Sequence, residues 1–314
     1  MKKSIYIFLV VALFSACEKI ELTFPPDNQI LAENALQTSE DLQKFLNSCY
    51  DVLANTYNGN CQNLSTLQAD DVSAPNSQLD YLEVYNRNTI FFNGTIGGYY
   101  KQPYIAIYRS NYLLENVDLI SDITDEDKNR MTAEARFIRV LCHFDLVRLF
   151  AHPYGYTSDN SHNGIIIKTS TDPDPKPRNT VGEVYDFMIS ELIEISNLLP
   201  ENNGNYANKY SAHALLAKIY FQTNQLDLAI NETNEVINSG IYALDNDSLF
   251  INRFREQLSQ EAIFTIVSTS NFDNRSGQFT GSYRSDINAN PTLRASEELF
   301  DLVNIFGEEE DKRA

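Results

Sequence analysis

The chain has 314 residues, enough for one large domain or two small ones, and its 43% hydrophobic content argues against a disordered protein. Its formal net charge of −19 would repel phosphate backbones and anionic lipid surfaces, which argues against nucleic-acid binding and against purely electrostatic membrane attachment. Tyr and Phe each occur 18 times and Trp is absent, so aromatic contacts with a ligand must come from Tyr or Phe.

Residues 1–17 have the pattern of a secretory signal peptide. A positive start precedes an apolar run, Ile5 to Phe14, which is shorter than the roughly 20 residues that span a bilayer. The stretch Leu13–Cys17 resembles the lipobox of bacterial lipoproteins, with a Phe where an aliphatic residue is usual. We therefore predict that Cys17 becomes an acylated N-terminus. An ordinary signal peptide with a chance cysteine is the alternative.

The three other cysteines are Cys49, Cys61 and Cys142. An odd number argues against a disulfide framework, although Cys49 and Cys61 could pair in an oxidising compartment. Cys142 lies in an apolar helical run, which indicates a small buried hydrophobic residue.

Residues 18–36 contain a Pro-Pro pair and are predicted to form an extended tether. Residues 37–314 are predicted to form one helical domain. Its first helix begins at a capping-box-like pair, Thr38 and Asp41, and apolar residues then repeat at helical spacing.

Apolar periodicity predicts five further helices. In chain order they are Tyr99–Leu119, Asp125–Phe150, Thr180–Leu199, Ser211–Thr223 and Leu226–Asn238. Thr180 and Glu183 form a capping box at the start of the third. The last two have small residues at contact points and a short turn between them, which is typical of a tetratricopeptide-type hairpin. Such a hairpin needs neighbours to bury its apolar face.

Two long segments, Tyr57–Asn93 and Ala151–Asn179, lack helical periodicity and are predicted to be irregular. Glu261–Val267 is predicted to be a short strand, and Ser296–Phe306 a last amphipathic helix. The predicted fold is therefore mainly α, a tetratricopeptide-like helical hairpin scaffold with long irregular loops and a minor β-strand element.

The most specific motif lies in the long helix. Ala133–Phe150 reads AEARFIRVLCHFDLVRLF, which closely resembles the signature AEARFLRA…yFdLvrlfG of the SusD/RagB family. Thr180–Tyr185, Ser211–Tyr242 and Ser259–Phe264 resemble further blocks of that family in the same order. These blocks cover nearly the whole mature chain, so the sequence is identified as a member of the family.

The sequence departs from the family pattern in two places. The helix near Tyr100 lacks the Trp common at its start, and Tyr100 or Tyr104 could substitute for it. Asp311–Arg313 resembles a D.R motif that normally lies well before the end of the chain, so the C-terminal part of the usual fold is expected to be missing.

The resemblance implies a lipid-anchored outer-membrane protein that is exposed on the cell surface. It would bind an oligosaccharide, or in some members a peptide, and deliver it to a SusC-like TonB-dependent barrel without breaking a bond. A tetratricopeptide-type adaptor that grips a protein segment is the alternative. That function would need tandem repeats, and the sequence contains one convincing hairpin.

A neutral sugar has apolar ring faces edged with hydroxyls, so its binding site needs aromatic faces and a few hydrogen-bonding groups. The irregular segment Tyr57–Asn93 and a later loop supply such residues. We predict ligand contacts from Tyr81, Tyr85, Arg87 and Tyr283. Alternatively, the tyrosines pack the loops onto the body of the protein.

The sequence contains no HExxH, GxSxG, GxxxxGK or CxxC arrangement, so we predict no enzymatic activity, no cofactor and no metal. A metal site from His152, Asp159 and His162 is conceivable, although histidines in a solvated loop are the simpler interpretation. Asp70 and Asp71 could be catalytic carboxylates or calcium ligands, but adjacent side chains point apart in most backbones.

Overall fold

The structure, a computed structural model, describes residues 36–246, 259–267, 281–283 and 291–296. Nearly all of these residues belong to one compact unit, Thr38–Ala314. Three predicted features lie outside the described residues. They are Cys17 with its signal peptide, almost all of the tether, and the helix over Ser296–Phe306 apart from its first residue.

The described part of the chain is mainly helical, which confirms the predicted fold class. The helices are α1 Ser39–Thr56, α2 Asn60–Gln68, α3 Leu79–Tyr85, α4 Gly94–Asn116, α5 Asp125–Phe150, α6 Val181–Ile195, α7 Lys209–Gln222 and α8 Leu226–Asn238, with a 3-10 turn at Val117–Leu119. Two short strands, β1 Val72–Ser73 and β2 Arg294–Ala295, pair antiparallel, with Val72 opposite Ala295.

Side-chain caps fix where the helices begin. The predicted capping boxes are both present, Thr38 with Asp41 at α1 and Thr180 with Glu183 at α6. In each, the threonine hydroxyl accepts a backbone N–H and the carboxylate accepts the N–H of the threonine. Helix α7 begins two residues earlier than predicted because Asn208 caps it.

Helix α5 lies at the centre of the fold, against α1, α4, α6 and α7. Apolar residues at helical spacing form a buried stripe along it, namely Ala133, Phe137, Val140, Phe144 and Val147. The helix also buries polar side chains that the stripe leaves outside, namely Glu134, Arg139, His143 and Asp145. Since a buried charge without a partner is costly, the neighbouring elements must supply partners for these groups.

The charged partners of Arg136 and Arg139 on α5 come from α6. The Arg136 guanidinium contacts Glu191 Oε1 at 2.8 Å, and Arg139 also bonds the Glu191 carboxylate. Arg139 Nη1 donates to Asn111 Oδ1 of α4 at 2.8 Å. These three helices are therefore joined by a network of charge-assisted hydrogen bonds as well as by apolar packing.

His143 is a fully buried ring on α5 that its surroundings keep neutral. The backbone N–H of Lys168 donates to Nε2 at 3.2 Å, so Nδ1 carries the proton and donates to the Arg139 carbonyl at 2.7 Å. Burial lowers the pKa of His143 from 6.5 to about 4, although the hydrogen bond to Arg139 opposes this shift. Protonation of His143 therefore favours the unfolded chain.

We expect acid to weaken the fold through His143. Its contribution to stability is complete above the unfolded pKa of 6.5 and is lost as the pH falls towards the folded pKa of about 4. The full loss is about 3 kcal/mol. Urea unfolding at about pH 7 and about pH 4 should therefore show a larger drop in stability for the wild type than for His143→Gln.

Asp145, two residues after His143 on α5, changes stability with pH in the opposite direction. Burial raises the pKa of this carboxyl, against the hydrogen bond from Tyr57 that lowers it, so the folded chain binds a proton there more readily than the unfolded chain. Both the wild type and His143→Gln retain Asp145, so its contribution cancels in the comparison. Equal pH dependence of the two proteins would contradict the role given to His143.

The irregular segment predicted over Tyr57–Asn93 contains two short helices, α2 and α3, and in this respect the prediction is wrong. Helices this short are not stable alone, and their apolar residues are too few to give a clear period. Tertiary burial stabilises them instead. Leu64, Leu67, Tyr81 and Val84 enter an apolar cluster with Tyr99 of α4.

The strand predicted over Glu261–Val267 is also wrong, because these residues form turns and irregular chain. A strand needs a neighbouring backbone along its length. Among the described residues, the backbone hydrogen bond beside this stretch runs from the Ala243 N–H to the Gln260 carbonyl. The ring of Phe264 packs against the ring of Phe137, with the two centroids 5.3 Å apart, and this contact holds the segment on the core.

The cysteines of the folded unit are free. Cys49 and Cys61 do not pair, so the optional disulfide is not formed in this structure. Cys142 is fully buried in α5, as predicted. Burial raises the pKa of its thiol and so disfavours the reactive thiolate.

Candidate functional site

The loop of residues 86–93 joins α3 to α4, and an ion pair fixes its first part. Arg87 forms a bidentate pair with Asp70, at 2.9 Å from Nη1 to Oδ1 and 2.7 Å from Nη2 to Oδ2. The guanidinium also donates to the carbonyls of Tyr85 and Gln68. Asp70 and Arg87 both have left-handed backbones, with φ of 63° and 53°. Strained conformations of this kind are often found at binding sites.

Hydrogen bonds to Asn93 fix the other end of the loop. Its Oδ1 accepts the Ile96 N–H and caps α4, so that this helix begins five residues before the predicted start. Its Nδ2 donates to the Asp80 carbonyl and to the Glu83 carboxylate, at 2.9 and 2.8 Å. The backbone of the loop is therefore held at both ends by α3 and its neighbours.

This fixed loop exposes two aromatic rings. Phe91 is 94% exposed and Phe92 is 85% exposed, and their rings meet edge to face with centroids 5.2 Å apart. Ile90 beside them is also exposed. Large apolar side chains that a rigid backbone holds in water are typical of a surface that binds another molecule.

The four residues that were predicted from the sequence to contact a ligand lie close together in the structure, but their environments differ. Tyr81 is buried, and its hydroxyl accepts a hydrogen bond from Asn63 at 3.2 Å. Tyr85 and Tyr283 are half-buried against the same apolar cluster. The Tyr283 hydroxyl lies 2.8 Å from Thr66 Oγ1. Arg87 is exposed at the edge of this group.

The sequence prediction did not select Phe91 and Phe92, although a signal for them exists. In a strand, adjacent side chains point to opposite faces, so Phe91 and Phe92 could not both lie on one buried face. The residues around them also show no apolar period that would indicate a buried helix face. A tyrosine in an irregular segment is less informative, because its hydroxyl can be satisfied inside the protein.

A second recess adjoins the same region. Its volume is about 880 Å³, and it is lined by Leu149, Phe150, Ala151, His152, Ser161, His162, Asn163 and Arg178. Phe150 connects the two areas because its ring also packs edge to face on Tyr100 at 4.9 Å. The exposed ring of Tyr156 stacks on His152 with centroids 4.1 Å apart. The loop of residues 151–179 therefore offers a second aromatic surface.

The polar groups of these loops serve hydrogen bonds within the protein. His162 Nδ1 lies 2.9 Å from Thr157 Oγ1, and Asp159 accepts the Ser161 N–H. Asp70 is paired with Arg87. In the part of the chain that the structure describes, no group of three or more His, Cys, Asp or Glu is placed to hold a metal ion. The geometry suits binding through ring faces and hydrogen bonds.

Across the described residues, no helix combines the length and the apolar character needed to cross a bilayer.

Comparisons with known proteins agree on one family. Residues 22–221 match the SusD-like_3 family, which is described as starch-binding and associating with the outer membrane. SusD-like protein P25 of Formosa agariphila is 24% identical over 276 residues, which cover 83% of this chain and 50% of that protein. SusD-like protein P2 of the same organism is 30% identical over 250 residues, with coverages of 76% and 47%. The chain spans about half the length of the curated relatives it matches.

The fold is shared with solved structures. The crystal structure of a SusD superfamily protein from Bacteroides thetaiotaomicron aligns with a TM-score of 0.77 at 24% identity, covering 88% of this chain and 63% of that one. Identity at this level shows a common architecture. The family itself is shown by the match of residues 22–221, which covers well over half of the chain. The chain belongs to the SusD-like family.

Proposed function

We propose that this chain binds a glycan at the outer membrane and delivers it to a SusC-like TonB-dependent barrel without cutting it. The observation that carries the proposal is the exposed pair Phe91 and Phe92, fixed on a loop of a family fold described as starch-binding. A peptide ligand is the alternative within the same role.

The proposed contacts follow from the chemistry of sugars. The exposed rings of Phe91 and Phe92 offer apolar faces to a sugar ring, and Arg87 and Asp70 offer a donor and an acceptor at the edge. Among the predicted contacts, we propose that Tyr85 and Arg87 reach the ligand. Tyr81 and Tyr283 would support this surface from beneath, since their hydroxyls bond to the protein.

The charge of the protein favours a neutral ligand. With a formal net charge of −19, the chain repels anions at long range, so acidic glycans would approach it slowly. A neutral glucan such as starch does not meet this barrier. This agrees with the description of the family, and it makes starch-derived oligosaccharides the first probes to test.

Removing both rings should weaken glycan binding. We expect Phe91→Ala/Phe92→Ala to bind starch oligosaccharides about tenfold more weakly than the wild type, because each aromatic contact contributes about 0.5–1.5 kcal/mol. Isothermal titration of protein lacking residues 1–17 would measure the difference. The melting temperature should change little, since both side chains are exposed.

Tyr156→Ala is the matched control, because it removes an exposed aromatic ring from the second loop. Its affinity should stay close to that of the wild type. Loss of binding in this variant alone would show that the ligand binds at the second loop. A wild-type protein that binds no glycan, or that releases reducing sugar from one, would contradict the proposed function itself.

The proposed membrane attachment depends on Cys17. We expect Cys17→Ala to appear in the soluble fraction of lysed cells, because several acyl chains anchor firmly and their loss removes the attachment. Cys61→Ala, the same change inside the folded domain, should remain with the membrane. Retention of Cys17→Ala in the membrane would contradict the lipid anchor.

A further inference from the structure

The hairpin of α7 and α8 has a large apolar groove that lies apart from the Phe91–Phe92 loop. Its volume is about 1100 Å³. Its lining includes Phe144 of α5, Ala217 and Phe221 of α7, and Ile230 and Ile237 of α8. The groove is therefore wide enough to hold several apolar side chains.

Several groove residues are more exposed than is usual for large apolar side chains. Phe221, Ile230 and Ile237 are 67%, 58% and 62% exposed. Their neighbours Leu226 and Leu244, which also line the groove, are exposed as well. A contiguous apolar surface of this kind is normally covered by another segment or by a partner.

One segment outside the described residues has a pattern that fits the groove. Residues 297–306 read EELFDLVNIF, and Leu299, Leu302, Val303 and Phe306 recur at spacings of three and four. This spacing places them on one face of a helix. The predicted helix would therefore have an apolar face to bury and an acidic face to leave in water.

The charges of the segment and the groove are opposite. Residues 297–306 contain Glu297, Glu298 and Asp301 and no basic residue. Among the residues that line the groove are two basic ones, Arg148 and Lys218, and one acidic one, Glu261. Residues 247–258, which contain two basic and two acidic residues, are less complementary to this lining.

The start of the segment is fixed beside β1, close to the C-terminal end of α5. The Ser296 N–H donates to the Asp71 carbonyl at 3.0 Å, next to the paired strands. Leu293 just before it shares an apolar cluster with Leu149 and Phe150 at the end of α5. Phe144 and Arg148, up to two turns earlier on α5, line the groove. A helix of ten residues extends about 15 Å, which is longer than the roughly 9 Å that separates Phe144 from Phe150 along α5.

We propose that residues 297–306 dock as a helix in the apolar groove between α7 and α8, with their apolar face in the groove and their acidic face in water. The basic residues of the lining, Arg148 and Lys218, favour the approach of this acidic segment. The hairpin cannot bury its apolar face alone, and this segment would complete its packing.

Site-specific photo-cross-linking tests the occupant. The full-length protein would carry p-benzoylphenylalanine at Ile230, whose exposure allows the change without disturbing the core. A second protein would carry it at Leu119, which is also exposed but does not line the groove. After irradiation of a mixture of light and heavy isotope-labelled chains, mass spectrometry would identify the linked peptides. The labels distinguish links within one chain from links between copies.

The expected product links position 230 to residues 297–306 of the same chain, and position 119 does not form it. Leu302→Asp should lower the yield severalfold, and Asn304→Asp, the same new charge on the polar side of the segment, should not. A link from position 230 to residues 247–258, a link to a second copy, or no link at all would overturn the proposal.

Discussion

Replacing Glu191 by Leu should lower the free energy of unfolding by about 3–5 kcal/mol, which is the cost expected when one partner of a buried ion pair is removed. The Glu191 side chain is only 13% exposed and meets two arginines of α5, Arg136 and Arg139. A leucine fills similar space but leaves both guanidinium groups without this carboxylate. Urea unfolding would measure the change.

The pH dependence provides an independent check on Glu191. Burial alone would raise the pKa of this carboxyl, but the hydrogen bonds and charges of Arg136 and Arg139 lower it below 4.5. A depressed folded pKa gives stability that is present above the unfolded value and is lost as the pH falls through the folded one. The difference between the wild type and Glu191→Leu should therefore narrow below about pH 4.5.

Glu194→Leu is the matched control, one turn further along the same helix. Glu194 also bonds Arg136, at 2.5 Å, but its side chain is 59% exposed. Exposed ion pairs contribute about 1 kcal/mol or less, so this variant should lose little stability. Equal losses in the two variants would show that Glu191 does not act as a buried charge.

The same network shows what the sequence could and could not predict about α5. The apolar stripe predicted the helix over Asp125–Phe150 with the correct bounds. It could not predict that Arg139 and His143 are also buried, because their partners lie far away in the sequence. Glu191 is on α6, and the backbone of Lys168 is in the loop before it. In the local sequence pattern of a helix, such polar side chains cannot be told apart from those of a solvent-exposed face.

A similar limit applies to the candidate site. The sequence places several aromatic residues between α1 and α4, among them Tyr81, which is buried, and Phe91, which is exposed. Which rings are buried depends on α2 and α3, two short helices without a clear apolar period. Their burial is set by contacts with Tyr99 and Leu293, which no local pattern contains.

Phe137→Ala should lower the free energy of unfolding by about 3–5 kcal/mol, the range found when a buried aromatic side chain is truncated in a core. Phe137 is 2% exposed at the middle of α5, and its ring packs edge to face on Phe264. Truncation removes this contact and leaves a cavity beside Phe264. Urea or thermal unfolding would measure the loss.

Phe91→Ala is the control, because it removes the same atoms from a side chain that is 94% exposed. Little apolar area returns to water in that variant, so its stability should stay within about 0.5 kcal/mol of the wild type. Together, the two substitutions distinguish the contribution of the buried core to stability from that of the exposed loop. An unchanged melting temperature for Phe137→Ala would show that the centre of α5 does not organise the core. A large loss for Phe91→Ala would show that the exposed loop contributes to stability.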